Sequence, residues 1–262
     1  MQFEKISITV DEGIARLCFI DGAKGNPMDG QLCAELAEAA IVLSERRGVR
    51  CVLLTAQGKA FSYGGDIAAF FAELDALPSN IKRWTTTLHS AIARFQRMDA
   101  PIVAAVHGIC TGGMAGFIAG SDIVVGSPQA RFVAAYAGIG YSCDAGSSVM
   151  ISRRMGLSRA RKYLLLNEIL DADAALQAGL LDEIVADADL LGRAEAIAQQ
   201  LASGPTKAFG EMRRLLLTVE DQPLETQLEL EAQALARISR SQDAREGLTA
   251  FSQRRAPRFI GA

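Results

Sequence analysis

Two glycine-rich segments, residues 61–66 (FSYGGD) and residues 108–116 (GICTGGMAG), each follow a short apolar run and precede a helix-like one. Reactions that build negative charge on a carbonyl oxygen are helped by two backbone N–H groups that converge on that oxygen. Glycine suits such a site because it has no Cβ to keep the main chain away from the substrate. Either segment alone would also fit a tight strand-to-helix turn. The two together predict an oxyanion hole for acyl-transfer or enolate chemistry.

Two side chains elsewhere in the chain could act on a substrate held there. Asp144 lies in a loop (GYSCDAGS) that leads into a predicted helix, where the positive end of the helix dipole favours an ionised carboxylate. Such a carboxylate suits a nucleophile or an electrostatic stabiliser, although Asp is also common as a helix cap. His89 could be a general base. Alternatively, its helix has an apolar face with Leu88 and Ile92, and His89 could simply lie at the edge of the core.

The composition limits the partners and the location. The chain has 262 residues, of which 50% are hydrophobic and 22% are charged, and its net charge is −3. Because there is no overall basic field, nucleic acid and an anionic membrane are not expected partners. The apolar stretches are too short for a membrane span, and the N-terminal residues lack the apolar core of a signal peptide. We therefore expect a soluble cytoplasmic protein.

Cysteine and histidine usage indicates neither a disulfide framework nor a metal site. The five cysteines are an odd number, are scattered and mostly have apolar neighbours, which is typical of reduced structural thiols. The two histidines do not cluster with them at metal-ligand spacing. We expect no protein metal site.

Strands and helices must position the glycine segments. Alternating and continuous apolar runs predict a hairpin and then buried strands, each followed by a helical pattern. This order indicates an α/β fold with parallel strands and right-handed crossovers. The prediction comprises a hairpin over residues 3–20, strands over 49–55 and 101–106, helices over 29–46 and 113–120, and almost wholly helical structure from 188 to the end.

Five segments, in this order, resemble the crotonase (enoyl-CoA hydratase/isomerase) superfamily. They are Lys24-Gly-Asn26-Pro-Met28, residues 58–66, residues 101–113, residues 178–185 and residues 243–257. Each is weak by itself, but together they span nearly the whole chain. The resemblance implies a crotonase-type spiral of ββα units over residues 1–195, with the acyl-CoA site. A helical region for trimerisation or capping would follow over residues 196–262.

The resemblance also implies a function. Crotonases act on acyl-CoA or aryl-CoA thioesters, with coenzyme A as part of the substrate and no other cofactor, and they form homotrimers or dimers of trimers. In this sequence the thioester oxygen would be held by the N–H groups of Gly65 and Gly113, with Gly64 in the same loop. The cations for the phosphates of coenzyme A would be Lys24, Arg254 and Arg255.

The chain departs from a hydratase at both acid positions. Hydration uses two glutamates on either side of a water, and the corresponding positions here hold Gly116 and Tyr136. His89 and Asp144 instead match the general base and the nucleophile of 4-chlorobenzoyl-CoA dehalogenases, although Tyr136 replaces that subgroup's tryptophan. The resemblance thus implies that Asp144 attacks a ring carbon and halide leaves. Water activated by His89 would then hydrolyse the ester, while Tyr136 would contact the leaving group or line the acyl pocket.

Other reactions stay open from the sequence. Naphthoate synthases and ring-opening hydrolases of the same superfamily carry an aspartate in a similar loop, and such a reaction would use Asp144 as a base and leave His89 incidental. Because both glutamates are absent, the chain could also be a CoA-ester binding subunit without chemistry. Convergence of His89 and Asp144 beside Gly65 and Gly113 is the observation that separates an enzyme from such a subunit.

Overall fold

The computed structural model describes residues 3–262 and folds them into two β-sheets surrounded by helices. The strands are β1 (Ile6–Asp11), β2 (Ile14–Phe19), β3 (Cys51–Ala56), β4 (Ile102–Val106), β5 (Ile109–Thr111), β6 (Ile123–Gly126), β7 (Arg131–Val133), β8 (Ile169–Asp171) and β9 (Glu183–Ile184). The helices are α1 (Gly30–Glu45), α2 (Ile67–Ala72), α3 (Leu77–Arg97), α4 (Gly113–Ala119), α5 (Ser147–Met155), α6 (Leu157–Leu165), α7 (Ala172–Gln177), α8 (Leu190–Ala202), α9 (Thr206–Thr218), α10 (Leu224–Ile238) and α11 (Gln242–Ser252). Within residues 3–262, no helix is both long enough and apolar enough to cross a membrane.

The larger sheet has six strands in the order β1-β2-β3-β4-β6-β9. β1 and β2 form the predicted antiparallel hairpin, which turns at Glu12 and Gly13, both with positive φ. The remaining neighbours, from β2 to β9, are parallel. Every residue of β4 is buried, as expected for a strand that is covered on both faces. The predicted α/β fold with parallel strands is confirmed.

A second sheet of three short strands, in the order β5-β7-β8, lies outside the sequence-based prediction. Each of its strands has only three residues, which is too few for a two-residue period to be recognised. The chain turns from β4 into β5 at Gly108, whose φ of +60° favours glycine. This sheet carries the second glycine segment at the end of β5 and Tyr136 shortly after β7.

Helices cover both faces of the larger sheet. On β3, Val52 and Leu54 belong to one buried cluster and Cys51 and Leu53 to the other, as the two-residue period of a strand requires. The larger cluster contains residues of α1, α3 and α4, and the smaller one packs α8 over β3 and β4. Helix α3, which carries His89, lies against α1 and is anchored in the core by Phe95.

The C-terminal part differs from the prediction at its end. Helical structure stops at Ser252 because Arg254 adopts a φ of +54° and Pro257 has no N–H to donate. Helix α8 spans residue 195 and packs on the sheet, so the cover of the sheet continues across the boundary between the predicted regions 1–195 and 196–262. That division stays a prediction, and its residues 1–2 lie outside the described residues.

Candidate active site

The first glycine segment is held in place by the loop that precedes α1. Asn26 is buried, and its Nδ2 donates to the carbonyl oxygens of Gln57 and Phe61, at 2.9 Å each. The hydroxyl of Ser62 donates to the Asn26 carbonyl at 2.7 Å and accepts from the N–H of Gly64 at 3.0 Å. Sequence reasoning gave Asn26 and Ser62 no such role, because their partners are backbone atoms that no side-chain pattern reveals.

The two glycine segments run side by side in the same direction. Ser62 and Cys110 are parallel neighbours, and the N–H···O bonds between their strands measure 3.0 Å. Both segments leave this register at glycines with positive φ, Gly64 and Gly112, which directly precede Gly65 and Gly113. Within residues 3–262, the N–H groups of Gly65 and Gly113 donate to no protein acceptor. Two free donors on adjacent segments are what an oxyanion hole requires.

The contacts of Met28 and Gly64 show that the two segments lie close together. The N–H of Met28 donates to the Gly64 carbonyl at 2.8 Å, and the Met28 Sδ lies 3.2 Å from the point that a Cβ on Gly113 would occupy. A Cβ on Gly64 would lie 3.0 Å from the carbonyl oxygen of Thr111, and Gly64 has a φ of +83°. A larger residue at position 64 would therefore push the segments apart.

Asp144 approaches the same place from the loop before α5. Its Oδ1 lies 3.0 Å from the point that a Cβ on Gly113 would occupy. Helix α5 begins after Gly146, and within the described residues its N–H groups do not donate to the Asp144 carboxylate. The carboxylate instead accepts a hydrogen bond of 2.8 Å from the hydroxyl of Tyr136. Asp144 is thus directed at the second glycine segment and does not cap its helix.

Tyr136 connects Asp144 to the buried start of α5. Its hydroxyl oxygen lies 3.0 Å from Oγ of Ser147, which is fully buried. Burial, and to a lesser extent the Asp144 carboxylate, raise the pKa of Tyr136, so the phenol keeps its proton. Because that proton is donated to Asp144, the Ser147 hydroxyl is the donor to Tyr136. The phenol ring packs near Gly112, whose Cβ position would be 3.9 Å from the ring.

His89 lies on the other side of the Asp144 peptide. The N–H of Ala145 donates to Nε2 of His89 at 3.1 Å, which joins α3 to the loop before α5. His89, Cys143 and Asp144 line one cavity of about 470 Å³. The structure therefore connects three of the predicted site residues, since Tyr136 contacts the Asp144 side chain and the exposed His89 contacts the following peptide, but of the three only Asp144 is directly beside Gly113.

Packing between α4 and α5 leaves no room for a side chain at position 116. A Cβ on Gly116 would lie 2.1 Å from Oγ of Ser147 and 2.9 Å from its Cα. Any side chain at position 116 would force α5 away from α4. Neither Gly116 nor Tyr136, at the two positions where the resemblance predicts the acids of a hydratase, can supply a carboxylate.

An aromatic cluster next to Gly65 was not predicted from the sequence. The rings of Phe70 and Trp84 are stacked, with centroids 5.8 Å apart at 24°, and Tyr141 lies 6.4 Å from Phe70. The ring of Phe70 comes within 3.1 Å of the point that a Cβ on Gly65 would occupy. The three residues come from α2, α3 and the loop before α5, so no local spacing connects them. They form a mainly apolar surface next to the Gly65 N–H.

The predicted cations separate into two places. Lys24 is exposed and precedes Gly25, which packs against Tyr63 of the first glycine segment. Arg255 forms a bidentate ion pair with Glu246, at 2.6 and 2.8 Å, which lowers the pKa of Glu246 to about 2. Arg254 is exposed in the same C-terminal segment. In the described part of this single chain, neither arginine lines the cavity beside Asp144.

The groups at this site can polarise a carbonyl and then attack the polarised substrate or transfer a proton. The nearby Asp66 has a structural role instead: it follows Gly65, accepts from the N–H of Ala69 at 3.0 Å and so caps α2. Among residues 3–262, no three His, Cys, Asp or Glu side chains form a group that could hold a metal ion. The groups available for chemistry are thus the two glycine N–H donors, the Asp144 carboxylate, the Tyr136 phenol and the His89 imidazole.

Known proteins are similar to this chain in sequence and in fold over most of their length. The family model described as enoyl-CoA hydratase/isomerase matches residues 9–262. The 1,2-epoxyphenylacetyl-CoA isomerase of Escherichia coli (strain K12) is 30% identical over 256 residues, which cover 96% of this chain and 97% of that protein. The 4-chlorobenzoyl coenzyme A dehalogenase-1 of Arthrobacter sp is 31% identical over 229 residues, with coverages of 87% and 83%. A crystal structure of enoyl-CoA hydratase from Mycobacterium smegmatis superposes with a TM-score of 0.91 at 27% identity, over 98% of this chain and 99% of that one.

Proposed function

This chain belongs to the enoyl-CoA hydratase/isomerase family, the crotonases, and from that premise we propose that it isomerises an acyl-CoA thioester by proton transfer through Asp144. One observation carries the proposal: the Asp144 carboxylate is held by Tyr136 and directed at Gly113, without capping its helix. The relative named 1,2-epoxyphenylacetyl-CoA isomerase, which is 30% identical over 256 residues, is likewise named as an isomerase of a CoA thioester.

The thioester carbonyl is polarised by the N–H groups of Gly65 and Gly113. Both donors are free of protein acceptors within the described residues, so they are available to a substrate oxygen. Removal of one such donor costs other enzymes about 3 to 4 kcal/mol in activation free energy. The donors stabilise the enolate because the negative charge develops on the oxygen that they bind.

Asp144 moves the proton. One carboxylate oxygen accepts from Tyr136, and the other takes a proton from a carbon of the acyl group that is acidified by the thioester. The electron pair of the broken C–H bond moves into the enolate. Asp144 then returns the proton at another atom of the conjugated system, and the double bonds shift accordingly. No further reactant is needed, so a single acid–base group balances the reaction.

The position of His89 favours proton transfer over hydrolysis. Its Nε2 lone pair already accepts from the Ala145 N–H, so that nitrogen is not free to activate a water. Hydration by the usual pair is disfavoured too, because Gly116 has no room for a side chain. An isomerisation requires neither a second base nor a second acid.

A second candidate is hydrolytic dehalogenation of an aryl-CoA, with Asp144 as nucleophile and His89 as base. The observation that favours it is the closeness of His89 to the Asp144 loop, together with the relative named 4-chlorobenzoyl coenzyme A dehalogenase-1. In that reaction Asp144 bonds to the ring carbon, halide leaves with its electron pair, and water cleaves the aryl ester. His89 would first have to release Ala145.

Isotope labelling distinguishes these candidates. The protein is incubated in ¹⁸O-water with a panel of 3-enoyl, cyclic and halogenated aryl CoA thioesters, and the peptide that carries Asp144 is analysed by mass spectrometry. The proposed isomerase yields a rearranged thioester and leaves Asp144 unlabelled over many turnovers. Label in Asp144 with release of halide would establish the nucleophile instead. Tight thioester binding without turnover would identify a non-catalytic binding subunit.

The phosphates of coenzyme A and the assembly form a further part of the proposal. Lys24 is exposed beside the first glycine segment and is suited to bind a phosphate group.

Arg254 and Arg255 would contribute from a neighbouring subunit of a homotrimer or dimer of trimers. Exposed apolar residues on the C-terminal helices, such as Leu235, Leu248 and Phe251, support such an assembly. Sedimentation of the purified protein tests it, since a monomer would exclude a subunit-crossing contact.

A further inference from the structure

Helix α3 and the loop before α5 are joined by one hydrogen bond that involves a predicted site residue. The backbone N–H of Ala145 donates to Nε2 of His89 at 3.1 Å. The two residues are 56 positions apart in sequence, so the bond is a tertiary contact. Ala145 is fully buried and directly follows Asp144.

The direction of this bond defines the protonation state of the ring. Since the amide is the donor, Nε2 of His89 has to offer a lone pair, and in the neutral ring the proton is then on Nδ1. The one basic nitrogen of the imidazole is therefore already engaged by the protein. A general base needs that lone pair for its substrate or water.

The loop that receives the bond is held in an uncommon conformation. Ala145 has a φ of +49° and Gly146 a φ of +74°, so two successive residues are left-handed. Left-handed backbone is unfavourable for a residue with a Cβ, and the surrounding structure must hold Ala145 there. Without His89, the buried Ala145 N–H would lose its acceptor and the loop would be free to relax.

We propose that His89 is a positioning residue: through the Ala145 N–H it holds the loop so that the Asp144 carboxylate stays beside Gly113. The inference rests on the proposed function of Asp144 and gives the imidazole a role other than that of base. Tyr136 holds the side chain of Asp144, the N–H of Ser147 donates to its carbonyl oxygen at 2.8 Å, and His89 holds the N–H of the peptide that follows. These contacts together keep an aspartate of an irregular loop in one place.

Rescue by a neutral acceptor provides a readout that distinguishes a positioning residue from a base. A side chain that accepts from the Ala145 N–H but takes up no proton should keep the loop in place, whereas an apolar side chain of similar size should not. A positioning role should change kcat more than KM, because the substrate is still bound while the carboxylate is displaced.

The test compares His89→Gln with His89→Leu. The amide oxygen of Gln can accept from Ala145, but Gln is not a base, whereas Leu does neither. We expect His89→Gln to keep kcat within about threefold of the wild type. We expect His89→Leu to lose about tenfold or more in kcat, with KM changed little. Equal loss in both variants would overturn the proposal in favour of a base, and an unchanged His89→Leu would remove any role.

The proposal can also be tested on the wild-type protein, so the test does not depend on whether the variants fold. The chain has two histidines, and Nε2 of His107 lies 2.9 Å from the carbonyl oxygen of Gly58, so there Nε2 carries the proton. Nitrogen NMR at neutral pH should show opposite tautomers for the two rings, assigned with His107→Gln. A proton on Nε2 of His89 would overturn the proposal. If His89→Gln is active and Asp144→Asn is equally active, the proposed function fails instead.

Discussion

The hydroxyl of Tyr136 donates a hydrogen bond of 2.8 Å to Oδ1 of Asp144. By the sequence resemblance, Tyr136 and Gly116 are at the positions where hydratases carry their two glutamates. Because Gly116 has no side chain, Ser147 and the start of α5 pack against α4, and Ser147 in turn contacts Tyr136 at 3.0 Å. The two replacements are thus coupled: one makes room for α5, and the other holds the carboxylate in the loop that precedes it.

Replacement of Tyr136 by Phe should lower turnover without unfolding the protein. The variant loses the hydrogen bond to a charged group, whose net contribution is about 1.5 to 3 kcal/mol, and the Asp144 carboxylate becomes free to rotate. We expect kcat to fall about 10- to 100-fold with KM little changed, measured by steady-state kinetics. The matched control is Tyr163→Phe, since among the described residues the buried Tyr163 hydroxyl has no partner. A Tyr136→Phe variant as active as that control would contradict the assigned contact.

Replacement of Gly116 by Ala should destabilise the fold. The added Cβ would lie 2.1 Å from Oγ and 2.9 Å from Cα of Ser147, so α5 has to move. Overpacking of this kind costs about 1 to 3 kcal/mol in the free energy of unfolding, measured by denaturant titration. Gly192→Ala is the control, because a Cβ on Gly192 meets open space and helical Ala is favoured over Gly by about 0.5 to 1 kcal/mol. Equal stability of the two variants would be inconsistent with this packing.

The buried thiols should resist alkylation in the folded protein. Burial raises the pKa of Cys33 and of Cys51 to about 12, and it raises the pKa of Cys110 as well. A raised pKa keeps the neutral thiol as pH increases through 9.0, the value of an exposed cysteine, so the reactive thiolate is scarce. At pH about 8 we expect iodoacetamide to modify only the partly exposed Cys18 and Cys143. Peptide mapping checks this, and labelling of Cys33 before unfolding would contradict it.

Arg213 should be essential for docking α9 on the core. Its buried guanidinium pairs with Asp122 at 2.9 Å and donates to the carbonyl oxygens of Phe95 and Ala100, at 3.1 Å each. Arg213→Met leaves these acceptors unpaired, and we expect a loss of about 3 to 5 kcal/mol in the free energy of unfolding. Arg193→Met, which breaks an exposed pair with Glu183, should change it by less than about 1 kcal/mol. Similar losses in both variants would argue against the buried anchor.

Much of the larger sheet was predictable because its strands have long apolar runs. The hairpin of β1 and β2 and the buried strands β3 and β4 follow from the periods of their side chains. The smaller sheet was not predictable, since three-residue strands have no measurable period. The helical pattern after residue 188 predicted helix beyond Ser252, where α11 ends. The end was not predictable because the positive φ of Arg254 depends on tertiary contacts rather than on composition.

For the candidate site, the sequence indicated residues but not the contacts between them. The glycine-rich segments indicated where an oxyanion hole would lie, and the family resemblance singled out Gly65, Gly113, His89 and Asp144. The contact of His89 was not predictable, because its partner is the backbone N–H of Ala145. The same holds for the aromatic cluster beside Gly65, whose members come together only when α2, α3 and the loop before α5 pack.

The central claim is that Asp144 transfers a proton on a polarised acyl-CoA. The most direct test follows, by NMR in deuterium oxide, both the isomerisation of a 3-enoyl or cyclic CoA thioester and the entry of deuterium into its acyl group. Asp144→Asn should slow both rates about 10²- to 10⁴-fold, whereas Asp66→Asn, which keeps a helix-capping side chain, should stay near the wild type. Asp144→Asn that isomerises the thioester at the wild-type rate would contradict the account.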